Sequence, residues 1–198
     1  LTIGNLVSMV DVGLFYEWYH RLARYDGDNE EQNRELSTVF GATVVTYVIA
    51  ACIAIVILMI GYGIAGAVGS FRSVVADASV VSLVLLVLLT AVRLVSVPFA
   101  SIAPALQRFD IAAAVSVGSL AITQGAGVVV VSYGGGVHGL LGVQLLSLCI
   151  TFVVWCCIKQ RLLRHIHWCV PRTWAPYAVV LRAGFWIAIQ NGSQTILA

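Results

Sequence analysis

The sequence predicts an all-α fold: a polytopic membrane helix bundle with five spans plus the start of a sixth. Three observations predict it. Residues 111–158 contain no Asp, Glu, Lys or Arg at all. The chain is 60% hydrophobic and 10% charged, with a mean hydropathy of +0.97, which is the balance of a multi-span membrane protein rather than of a water-soluble domain. The bases that do occur gather in alternate connections between apolar segments.

The uncharged run defines two elements. As one helix it would be roughly 70 Å long at about 1.5 Å per residue, against a hydrocarbon core about 30 Å thick. It must therefore fold once, and Tyr133-Gly134-Gly135-Gly136 offers the turn. Two spans follow, near Ile111–Ser132 and Val137–Ile158. Elsewhere, Leu1–Tyr19 reads as the end of one helix, Val39–Ile60 as a span without charge, and Ser79–Phe99 as a span with one Arg. Tyr177–Ala198 begins the last. Each is read as a helix because a lipid-exposed backbone must satisfy its amides within its own segment. The chain starts without Met inside one apolar stretch and stops inside another, so it reads as an internal fragment.

Arg24–Ser37 is rich in Asp, Glu, Asn and Gln and reads as a link, with Ser37 or Thr38 capping the next helix. The link Gln160–Pro176 is the most basic, and Pro171 and Pro176 interrupt any helix there. Residues 1–110 contain nine acids and six bases; residues 111–198 contain five bases and no acid. The links after the first, third and fifth segments hold ten of the eleven bases, and the opposite side has Arg72 alone. By the positive-inside rule those three links are cytoplasmic, in a multi-pass protein of the cytoplasmic membrane. A basic inner surface also favours membrane lipids with anionic head groups.

Polar residues inside the spans form stripes. At 100° per residue, Ser79, Ser82, Thr90, Arg93 and Ser96 fall within roughly a 120° arc of the third span. Ser116, Ser119, Thr123 and Gly127 share a face of the fourth, with Gln124 at its edge. Gln144, Ser147 and Thr151 do so in the fifth, and Gln190, Asn191 and Gln194 in the last. Such stripes either let helices pack closely or line a shared polar cavity. Four together, one with an Arg, favour a cavity lined by Ser82, Thr123, Gln124, Gln144, Gln190 and Asn191. Arg93 either faces that cavity or snorkels to the nearby inner interface. Asp11, the only acid of the first segment outside its end, either caps a kink with Gly13 or takes part in ion coupling.

Other patterns carry less. Gly134-x-Gly136-x-x-Gly139 matches a dinucleotide-binding spacing, but no acid follows anywhere in the chain to hold a ribose. His165-x-His167-x-Cys169 has three ligand types in a basic link, short of a structural zinc set. The five cysteines include no CxxC pair and read as buried thiols. No nucleophile–base pair, paired carboxylates, cofactor site or nucleic-acid-binding pattern occurs, so the chain does not read as an enzyme.

Several short motifs resemble one family. Val10-Asp11-Val12-Gly13-Leu14 resembles the end of the second helix of polysaccharide-export flippases. Arg21-Leu22-Ala23-Arg24 and Gly27–Thr38 resemble their next cytoplasmic loop; Leu106-Gln107-Arg108-Phe109-Asp110 resembles the loop between helices four and five. Leu181-Arg182-Ala183-Gly184-Phe185 resembles the start of helix seven. This family belongs to the wider multidrug/oligosaccharidyl-lipid/polysaccharide exporter group, whose members place two six-helix bundles around a central cavity.

The resemblance implies most of one six-helix half: residues 1–158 as the second to sixth helices of a first bundle, 159–176 as a basic cytoplasmic linker, and 177–198 as the start of a second bundle. It implies a flippase for lipid-linked oligosaccharide of the polyprenyl pyrophosphate type, with Arg93 neutralising the pyrophosphate and polysaccharide assembly enzymes as further partners. Two alternatives stay open. A cation-coupled multidrug exporter would use Asp11, and a non-transporting scaffold subunit would use the stripes only to pack helices.

Overall fold

The computed structural model describes residues 16–24, 30–67, 80–166, 169, 171–178 and 180–182. These are helical apart from short connections, with no strand among them. Helix α1 is Tyr16–Leu22, α2 Glu30–Ala67, α3 Val80–Ala100, α4 the single turn Ile102–Ala105, α5 Phe109–Ser132 and α6 Gly136–Leu162. Among the described residues four helices are long and apolar enough to cross a membrane, as in a multi-pass membrane protein.

The hairpin expected from the uncharged run is present, within four residues at every boundary. Tyr133 ends α5, Gly134 takes φ +73° and Gly136 φ +56°, and α6 begins at once. The amide of Gly135 donates to the Val130 carbonyl at 2.9 Å and that of Gly134 to Val131 at 3.0 Å. This is the left-handed helix stop in which two amides beyond the end satisfy the last free carbonyls.

Helix α2 differs from its expected form. It starts at Glu30, not after Ser37, and its 38 residues make it about 57 Å long. Glu30 and Glu31 sit in its first turn, where carboxylates face the positive end of the helix dipole. Gln32, Arg34, Glu35 and Leu36 are good helix formers, so the helix continues out of the apolar run into polar sequence. Ser37 and Thr38 therefore cap nothing. Their hydroxyls donate one turn back, to Asn33 O at 2.7 Å and Arg34 O at 2.9 Å.

Pro98 lies inside the last turn of α3, and the chain passes through Ser101, itself in the right-handed helical region, into α4. The turn after α4 repeats the hairpin's stop: Arg108 N donates to Ala103 O at 2.9 Å and Gln107 N to Pro104 O at 3.0 Å. Here the left-handed residue is Gln107, at φ 58°.

The four long helices pack in the order α2, α3, α6, α5. Helix α3 runs antiparallel to α2, with Phe40 against Phe99 near one end and Tyr47 in one cluster with Leu94 farther in. It runs parallel to α6, since Ser82 meets His138 at one end and Phe99 meets Phe152 at the other. The main core lies at the charged end. There Trp18, Phe40, Phe99 and Phe152 form a chain of rings 4.9, 5.4 and 5.3 Å apart, surrounded by Leu22, Leu36, Ile102, Trp155, Leu163 and Ile166. Toward the other end Ile49, Ile53, Ile57, Ile60 and Ile64 of α2 are exposed, and α5 has no buried residue. Apolar surface of this extent is what lipid or further helices cover.

Candidate functional site

The expected site residues fall into three groups. Asp11, Gln190 and Asn191 lie outside the described residues, as does Arg72. Ser82 and Thr123 are held in contacts between helices. Arg93, Gln124 and Gln144 are exposed.

Thr123 belongs to a ladder of hydroxyls along the α5–α6 seam. Its Oγ1 lies 2.6 Å from Ser147 Oγ and 2.8 Å from Ser119 O. Thr151 Oγ1 donates toward Ser119 Oγ at 2.9 Å. Ser147 is 2% exposed, which excludes water from this position. Two turns farther out the helices approach closely: a Cβ on Gly139 would stand 2.5 Å from Val130 Cγ1. Small residues and mutual hydroxyl bonds here join two helices. Gln124 and Gln144 lie outside the ladder. Ser82 Oγ and His138 Nδ1 are hydrogen-bonded at 2.6 Å and tie the starts of α3 and α6 together.

Arg93 is set apart. The exposed residues of α3 occupy two sides of the helix. Val81, Val84 and Leu88 lie on one; Leu86 and Arg93 lie on the roughly opposite one. Thr90 and Ser96 near Arg93 turn their hydroxyls to their own helix, to Leu86 O and Arg93 O. The Arg93 guanidinium has no hydrogen-bond or ion-pair partner among the described residues. It lies seven residues before Ala100, about 10 Å along the axis, and the buried turn α4 continues the bundle beyond that point. The distance to the charged end is thus longer than the sequence suggests, and snorkelling correspondingly harder.

A groove of about 700 Å³ opens at the charged end, between the first turns of α2 and a wall formed by His165, Cys169 and residues 171–173. Glu30, Asn33, Arg34 and Ser37 line it from α2, and His165 and Arg172 from the other side. Lys159 helps to hold that second segment, donating to Ile166 O at 2.6 Å with its ammonium 5.6 Å from the Phe40 ring centre. Sequence reasoning missed the groove, because residues 30–37 read as a link and nothing local ties them to His165 or Arg172. The one available signal was the helix-forming character of Glu30–Leu36.

No protein-family model, curated protein or solved structure matches this chain.

Proposed function

We propose that the chain is part of a flippase that carries a lipid-linked oligosaccharide across the cytoplasmic membrane by alternating access. The observation that supports this reading is Arg93: an exposed guanidinium within a membrane-spanning helix, opposite a face of valine and leucine, without a partner among the described residues. An ionised group at such a depth is costly against lipid, so its natural surroundings are a water-filled cavity or an anionic cargo. The planar fork of Arg suits a pyrophosphate, which it can grip through two parallel bonds. The short motifs that resemble those of polysaccharide-export flippases are in keeping with the same cargo. In this mechanism Arg93 neutralises the pyrophosphate while the sugar stays in water, and rocking of two bundles exposes the cavity to either side.

Arg93→Ala and Arg93→Lys in the full-length protein test the proposal, with surface polysaccharide as the readout and membrane level of the protein as the control. Ala should abolish export, and Lys should retain part of it. Wild-type export in both variants removes Arg93 from the mechanism.

The self-satisfied ladder of Thr123, Ser147, Ser119 and Thr151 favours a second reading, in which polar stripes only pack helices in a scaffold subunit. Cysteines at Ser82, Gln124 and Gln144 separate the two. Labelling by a water-soluble thiol reagent supports a cavity, and no labelling from either side supports the scaffold.

A further inference from the structure

We infer that the groove between α2 and the wall formed by His165, Cys169 and residues 171–173 is a binding site for the phosphate of an anionic lipid head group. Arg34 and Arg172 line it from segments far apart in sequence, and neither has an ion-pair partner among the described residues. Other arginines of this end do pair: Arg21 with Glu35, and Arg108 with Asp110 at 3.6 Å. Two guanidiniums left open toward one cavity are a site for an anion that both can grip.

A second observation concerns Asn33. Its Oδ1 is shut off from solvent and accepts no hydrogen bond among the described residues, although buried polar atoms are nearly always paired. An amide oxygen wants a donor, and so does the Glu30 carboxylate beside it. The phosphodiester of a lipid head group has acceptors only. The Glu30 carboxylate in the groove wall is met by a ligand with hydroxyls next to its phosphate, as in a phosphoglycerol head group.

The position of the groove selects a lipid over a soluble phosphate. On α2 the charges stop at Glu35 and the apolar run starts at Leu36, so Arg34 and Ser37 stand where hydrocarbon meets water. On the other wall Trp174 follows directly, 71% exposed and stacked 5.9 Å from Tyr177, in the manner of an interfacial aromatic pair. The cavity thus sits at head-group level. This inference does not rest on the flippase reading; a scaffold could bind the same lipid.

Native mass spectrometry of the full-length protein in neutral detergent, with equal amounts of phosphatidylglycerol and phosphatidylcholine, tests it. The wild type should retain phosphatidylglycerol with a preference on the order of tenfold, as expected for two arginines at the surface. Arg34→Gln with Arg172→Gln should bring the preference to near unity, and the double Lys variant should keep most of it. Asn33→Asp preserves shape while adding an anion at the orphan atom, so it should cut the preference severalfold even if the double variant fails to fold. No preference in the wild type, or an unchanged preference in Asn33→Asp and in a folded double Gln variant, overturns the site. Displacement of the lipid by an equal concentration of glycerol phosphate or inorganic phosphate assigns the groove to a soluble ligand and overturns the lipid assignment.

Discussion

Gln107 and Gly134 occupy the same position in two copies of one turn, at φ 58° and φ 73°. Each follows the end of a helix, and each is bracketed by the same pair of amide bonds back to the helix. The left-handed conformation costs a residue with a Cβ about 1–2 kcal/mol and costs glycine nothing extra. One stop is thus relaxed and the other strained.

Gln107→Gly should raise stability by roughly 0.5–1 kcal/mol, because relief of the strain exceeds the added freedom of the unfolded chain. The midpoint of unfolding in mixed micelles reads this. A lower midpoint would show that the Gln107 side chain contributes more than its backbone costs.

Gly134→Ala should lower stability by about 1 kcal/mol. A Cβ there meets no atom within 4 Å, so the whole effect is conformational. Gly134→Asn should cost less, since Asn tolerates this region. Equal losses in the two variants would point to crowding instead.

The α5–α6 seam makes a ranked prediction. Thr123→Val loses one bond across the seam, worth about 0.6 kcal/mol by the average for membrane helices. Gly139→Val places a Cβ against Val130 and should cost about 1–3 kcal/mol through overpacking. Unfolding midpoints of the two variants give the order, and the reverse order would contradict the close approach at Gly139.

Trp18 tests the core at the charged end. It is fully buried 4.9 Å from the Phe40 ring, yet its indole N–H has no partner among the described residues. Trp18→Ala should cost about 3–5 kcal/mol. Trp18→Phe keeps the ring stack and removes the orphan donor, so its cost should stay below about 1.5 kcal/mol. A loss with Phe as large as that with Ala would reveal a missing acceptor for the indole.

The hairpin was legible because its signal is a negative one: lipid tolerates no charge, and residues 111–158 contain none. Its turn was legible because only glycine enters the left-handed region freely. The start of α2 was not legible for a related reason. Hydropathy marks where lipid ends, at Leu36, whereas the helix ends where its residues stop favouring helix, at Glu30. The stripe Ser119, Thr123, Ser147 and Thr151 was visible as a pattern, but periodicity gives the same stripe to a seam and to a cavity. Only the partner across the gap separates the two, and at Thr123 that partner is Ser147. Arg93 stood out as a residue, while its distance from the charged end depended on the buried turn Ile102–Ala105, which no pattern announced.

Phe99 stands edge-on between Phe40 and Phe152. The three rings lie on α2, α3 and α6, so the cluster joins segments made at well-separated times. While the ribosome is still making α5, Trp18, Phe40 and Phe99 have already been made and lack the residues that enclose them. Only the arrival of Phe152, Trp155 and Ile166 completes the enclosure. The last helix of the hairpin thus closes the final side of the aromatic cluster, and a chain stalled before it would leave the Phe99 ring open on that side.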